Sequence, residues 1–136
     1  MNDYEKLLAE FENEINFVFD HNLPDKLPAV LIGDVIYVND RLPFNQAISY
    51  LVEEIGHHKT LPEGTNIIDY SKLYNIKLEN KGREWGYRKL IPYEKLKKFI
   101  NQKDSVTVYE LAETFNVTES FVEETIKLYQ RKENML

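Results

Sequence analysis

The sequence predicts an α+β fold. Two β-branched runs, Ala29-Val30-Leu31-Ile32 and Val35-Ile36-Tyr37-Val38-Asn39, flank Gly33-Asp34 and read as an antiparallel β-hairpin. The other patterned stretches carry apolar residues at helical spacing, and most of them follow the hairpin in a block. A small antiparallel sheet with helices set apart from it along the chain is the arrangement of α+β folds.

Each element has its own signal. Residues 3–19 place Leu7, Leu8, Phe11, Ile15 and Val18 at steps that fit one amphipathic helix, which Asn22-Leu23-Pro24 and Leu27-Pro28 break. After the hairpin, Leu42-Pro43-Phe44-Asn45 leads into a helix from about Asn45 to His58, striped by Ile48, Leu51, Val52 and Ile55. Leu61-Pro62-Glu63-Gly64 marks a loop. Residues 69–91 read as helix, with Asp69 or Ser71 as candidate cap. Gly82 and Gly86 lie one turn apart there, and would let another backbone approach closely. Ile91-Pro92 is a boundary, because proline restricts the residue before it. Beyond it come a short helix with Leu96, Phe99 and Ile100, a helix opened by the capping pattern Thr107-Val108-Tyr109-Glu110, and a last helix capped by Thr118. The expected organisation is a main domain over 1–92 and a helical extension over 93–136.

Composition narrows the function. The 136 residues suffice for one domain with a small appendage. The net charge of −6, from 17 basic and 23 acidic residues, argues against a chain that binds polyanions along its whole surface. With no cysteine there is no thiol nucleophile and no Cys-ligated metal, so any metal site must use His and carboxylates. No apolar run approaches the roughly 18–20 residues of a membrane span. Met1-Asn2-Asp3-Tyr4-Glu5 lacks the features of a signal peptide, so the cytosol is the expected compartment.

The stretch Leu51-Val52-Glu53-Glu54-Ile55-Gly56-His57-His58 carries the most chemistry. Glu53 and His57 are i and i+4 on one helix and share a face. At about 100° per residue that face lies nearly opposite the apolar stripe, so the helix is expected to turn one side to the core and the other to a cleft. This is the logic of the H-E-x-x-H helix, in which two ligands one turn apart hold a metal and the Glu after the first acts as general base. Here Glu53 stands in place of the first His. A carboxylate oxygen binds Zn²⁺ at nearly the same distance as an imidazole nitrogen. The exchange makes the site more anionic, and shifts its preference toward harder metals.

The order of three pieces makes a wider resemblance. The hairpin over Pro28–Asn39 precedes the motif helix. Leu51–His58 is similar to L-A-H-E-L-G-H-H. Glu79-Asn80-Lys81-Gly82-Arg83-Glu84-Trp85-Gly86-Tyr87-Arg88-Lys89-Leu90-Ile91-Pro92 is similar to E-x-x-A-x-x-F-A-x-x-L-L-x-P. From about Leu23 to Pro92 the chain resembles the ImmA/IrrE family of metallopeptidase-like proteins, common in phages and mobile elements. The resemblance implies a zincin-like fold. It also implies a Zn²⁺ or other divalent ion held by Glu53, His57 and Glu79, with Glu54 as general base. A repressor-type protein would be the substrate or partner. A different class of function stays open beside the peptidase: a non-catalytic zincin-like module that regulates a repressor by binding, which Glu53 favours.

Other candidates have plainer readings. Glu84 is the alternative acidic residue on the ligand helix, but it can pair with Lys81 or Arg88. His58 points about 100° from His57 and fits a supporting role. His21 lies in a loop and is expected to be exposed. Trp85 is expected to pack and Tyr87 to be half-exposed. Residues 77–98 hold eight basic and three acidic side chains, read as a solvated helix face. Val106–Tyr129 has helix-turn-helix rhythm, but Glu119, Glu123 and Glu124 occupy the place where a recognition helix meets phosphates. From Asp104 to Leu136 the net charge is −4, so DNA binding is disfavoured and a helical packing or docking element is expected.

Overall fold

The computed structural model describes residues 2–60 and 72–135. The proposed helix caps Asp69 and Ser71, and the loop signal at Leu61–Gly64, lie outside the described residues. The elements are α1 (Asp3–Phe11), β1 (Asn16–Asp20), β2 (Ala29–Ile32), β3 (Val35–Asn39), α2 (Phe44–Thr60), α3 (Lys72–Leu90), α4 (Tyr93–Asn101), α5 (Val108–Phe115) and α6 (Glu119–Lys132). They give the α+β fold that the sequence predicts. The chain divides into two compact units, Met1–Gly86 and Tyr87–Leu136.

The first unit differs from expectation at its start. A single helix over 3–19 is not formed. Asn2 caps α1 through a reciprocal pair with Glu5, and the helix stops at Phe11. The amides of Glu14 and Ile15 both close back on the Phe11 carbonyl. Ile15 is buried just past the helix, which explains why it fell on a helical spacing, whereas Val18 is 41% exposed and belongs to no helical stripe. Phe17-Val18-Phe19 suits a pleated strand better than a helix. As β1 this segment runs parallel to β3, from Asn16 opposite Val35 to Asp20 opposite Asn39.

The hairpin forms as read. β2 pairs antiparallel with β3, and Gly33 turns between them with φ of 65°, a conformation that favours glycine at the first central position. The sheet is therefore mixed and larger by one strand than the hairpin alone, in the order β1-β3-β2. β3 is central, with Ile36 and Val38 fully buried. α2 lies against β2 and β3, and α1 against α2. Ile48, Leu51, Val52 and Ile55 are all buried and supply the core side of α2, as their spacing requires.

The second unit is helical. Asn116 ends α5 in the left-handed region, and the Thr107 and Thr118 hydroxyls cap α5 and α6 by accepting the amides of Glu110 and Phe121. Its core gathers Ile91, Leu96, Leu111, Val122, Leu128 and Tyr129. The Tyr129 hydroxyl, fully buried, donates to the Ile91 carbonyl at 2.5 Å. Among the described residues, no helix is long and apolar enough to cross a membrane.

Candidate metal centre

Glu53, Glu54 and His57 come from the second half of α2, and Glu79 comes from α3. What brings the helices together is the absence of side chains. A Cβ on Gly56 would overlap the Gly82 carbonyl, and a Cβ on Gly86 would press on Val52 at 3.0 Å. A Cβ on Gly82 would fall on the His57 ring, against Nδ1. α3 thus lies directly over the imidazole, and His57 is 3% exposed. The face opposite the apolar stripe is not an open cleft along its whole length. At His57 it is roofed by the backbone of α3, because the small residues seen in the sequence allow that contact.

The ring orientation follows. Nδ1 is buried against Gly82 and has no hydrogen-bond partner. Nε2 faces the other way, 3.6 Å from Glu79 Oε1. One ligand atom each from Glu53, His57 and Glu79 lies within 4.8 Å of the others. These three side chains could hold a metal ion; the i, i+4 spacing points to Glu53 and His57, and the family resemblance to Glu79. The donor set of two carboxylates and one imidazole nitrogen fits a divalent cation, since all three donors are within the reach of one centre. Glu84 is not part of this group.

Electrostatics agree with a site built for positive charge. Burial pushes the Glu54 carboxyl up to about 7. The neighbouring charges of Glu53 and Glu79 add to that, while His57 and the Leu31 amide oppose it. The Leu31 N–H in β2 donates to Glu54 Oε2 at 3.0 Å, tying the carboxylate to the edge of the sheet. For His57, burial pulls the imidazole down, but the hydrogen bond with Glu79 and the charges of Glu54, Glu79 and Glu53 outweigh it, so the net shift is upward. Glu79 is held below the usual carboxylate range, first by its hydrogen bond with His57 and then, against the cost of burial, by the charges of His57 and Arg83. Arg83 was not singled out by sequence reasoning. Its Nε donates to Glu53 Oε1 at 2.7 Å. The signal was available, because Arg83 is i+4 from Glu79, but its partner on α2 could not be known without the fold.

The remaining candidates stand apart from this cluster. His21 is 77% exposed and pairs with Asp40 at 2.7 Å. Trp85 is half-buried and meets Phe11 edge-on, with ring centroids 5.8 Å apart. Tyr87 is half-buried against Phe121 in the second unit.

Comparison with known proteins decides the family. The model of the IrrE N-terminal-like domain, a metallopeptidase family, matches residues 14–127. The chain belongs to this family. The match reaches beyond the segment over 23–92 that carries the sequence resemblance, and takes in β1 and most of the helical unit. No curated protein matches the chain. Among solved structures, a Mycobacterium tuberculosis transcriptional regulator is similar, with a TM-score of 0.66 at 19% identity. The alignment covers 89% of this chain and 39% of the regulator, so the IrrE-like chain spans about two fifths of that protein's length. At this identity the likeness is one of fold.

Proposed function

We propose that this chain is a metallopeptidase-type regulator of the ImmA/IrrE kind that acts on a repressor protein. In this reading Glu53, His57 and Glu79 hold a divalent cation, Zn²⁺ in the first instance, and Glu54 is the general base. The observation that carries it is the convergence of the three donors within 4.8 Å, beside a carboxyl whose affinity for a proton lies near neutrality. A bound cation supplies Lewis acidity to a scissile carbonyl there. The residues do the rest. His57 offers Nε2 because α3 pins the opposite edge of its ring. Glu54 is held by the Leu31 amide through Oε2, so its other oxygen remains to take a proton from water. A positive charge beside it would lower its pKa from about 7 and favour the basic form. The likeness of fold to a transcriptional regulator supports a regulatory setting, and the acidic α6 start supports contact with protein over contact with DNA.

The test begins with the metal content of protein purified without chelator. Coexpression with a repressor encoded alongside it would then follow repressor integrity on gels. Glu54→Gln should abolish cleavage and leave metal binding nearly intact, whereas His57→Ala should lose both. If derepression proceeds equally with Glu54→Gln and no fragment appears, the second reading holds: a zincin-like module that regulates by binding alone. The ion pair that engages Glu53 is the observation that favours that reading.

A further inference from the structure

Arg83 reaches the same two carboxylates that the metal would use. Nε donates to Glu53 Oε1 at 2.7 Å, and Nη2 lies 3.6 Å from Glu79 Oε2. The guanidinium therefore spans the gap between α2 and α3 at the mouth of the donor cluster. Its presence has an electrostatic reason. Where H-E-x-x-H has a neutral imidazole, this chain has Glu53, so the site carries one more negative charge than that motif. Two carboxylates offering oxygens within 4.8 Å of each other repel unless a cation is shared between them. Arginine suits the task, because its fork of donors serves two carboxylates at once and it stays charged at any physiological pH.

We propose that Arg83 is the resident counter-ion of the Glu53–Glu79 pair and competes with a divalent metal for it, so that Arg83 sets how readily the site is loaded. The inference rests on the ligand set proposed above. A cation entering between Glu53, His57 and Glu79 must draw an oxygen from each carboxylate, and it meets a positive charge already placed at bonding distance from one of them. Loading requires the guanidinium to withdraw. The Arg83 side chain is 51% exposed, so its long stem can carry the guanidinium outward into solvent. The site would thus exchange one cation for another, and keep a positive charge beside the two carboxylates with or without metal.

The experiment uses the full chain stripped with chelator, with Zn²⁺ titrated against a chromophoric competing chelator and Co²⁺ absorption as an independent readout. Wild type, Arg83→Gln and Arg83→Lys are compared. Gln is a good helix former at this half-exposed position, so the fold is retained, which circular dichroism checks. Arg83→Gln should bind Zn²⁺ about tenfold or more tighter than wild type, since a like charge beside the site is removed. Arg83→Lys keeps the charge and should stay within a few-fold of wild type. The metal-free Arg83→Gln protein should melt below wild type, and the difference should close when Zn²⁺ is added. Equal or weaker Zn²⁺ binding by Arg83→Gln would overturn the competition while leaving the ligand set standing. No Zn²⁺ or Co²⁺ binding by any of the three proteins would overturn the ligand set, and the competition with it.

Discussion

Glu54→Gln should stabilise the metal-free protein at alkaline pH and leave it unchanged in acid. In the folded chain the Glu54 carboxyl titrates at about 7, against 4.5 when unperturbed, and burial is the main cause. A folded-state value above the unfolded one means that the native state binds the extra proton between those limits. Stability therefore falls as pH rises from 4.5 through 7, and the loss is complete above 7. An interval of that size corresponds to about 3 kcal/mol borne by the ionised native state. The amide carries no charge to bury, and its oxygen still accepts the Leu31 N–H. In a chain of this size the gain corresponds to a melting midpoint roughly 10 °C higher at pH 8. His57 works in the same sense in wild type. Its raised value gives stability that is full below 6.5 and lost above, so the variant should keep a residual slope. The assay is thermal melting of chelator-treated wild type and Glu54→Gln from pH 4.5 to pH 8.5, at constant ionic strength. An advantage of the variant that is the same at pH 5 and pH 8, or a variant less stable at pH 8, would refute the reasoning.

Three further outcomes follow from the packing. Gly82→Ala places a methyl group on the His57 ring, and should cost about 1–3 kcal/mol of stability and weaken metal binding together; melting curves and Zn²⁺ titration measure the two effects. Tyr129→Phe removes the buried donor to the Ile91 carbonyl, and should destabilise the helical unit by about 1–2 kcal/mol in denaturant unfolding. Fluorescence anisotropy with duplex DNA should show no tight, salt-sensitive binding by the chain, because Glu119 opens α6 and Glu123 and Glu124 follow it within the next turn.

The parts of the fold readable from sequence were those with a local physical cause. The Gly33-Asp34 turn, the α2 stripe and the Thr107 and Thr118 caps each depend on neighbours within a few residues. The cluster of three residues that could hold a metal was readable for a related reason: Glu53 and His57 share a helical face, and Glu79 came with the family resemblance. β1 was hidden because its strand partner, β3, lies well along the chain, while Phe11, Ile15 and Val18 mimic helical spacing. The burial of His57 was hidden too. Gly82 and Gly86 announced a close approach, but the sequence could not say that the backbone approaching them would be that of α2. Arg83 went unnoticed because nothing in its own helix distinguishes it from the other basic residues between Lys77 and Lys98.

The strand order β1-β3-β2 has a consequence for how the chain is made. The central strand is the last of the three to be synthesised. When β1 leaves the ribosome it has no partner, since parallel pairing cannot form through a tight turn. It must wait until β3 has followed it, which also requires β2 and the Gly33 turn to be out. The hairpin, a local structure, can close within microseconds of its synthesis, and β1 then docks onto the free side of β3. Until that moment Val18 and Phe19 belong to an unpaired strand on the nascent polypeptide. They stay partly exposed even afterwards, so a β1 left without β3 is an open strand edge with which another chain can pair.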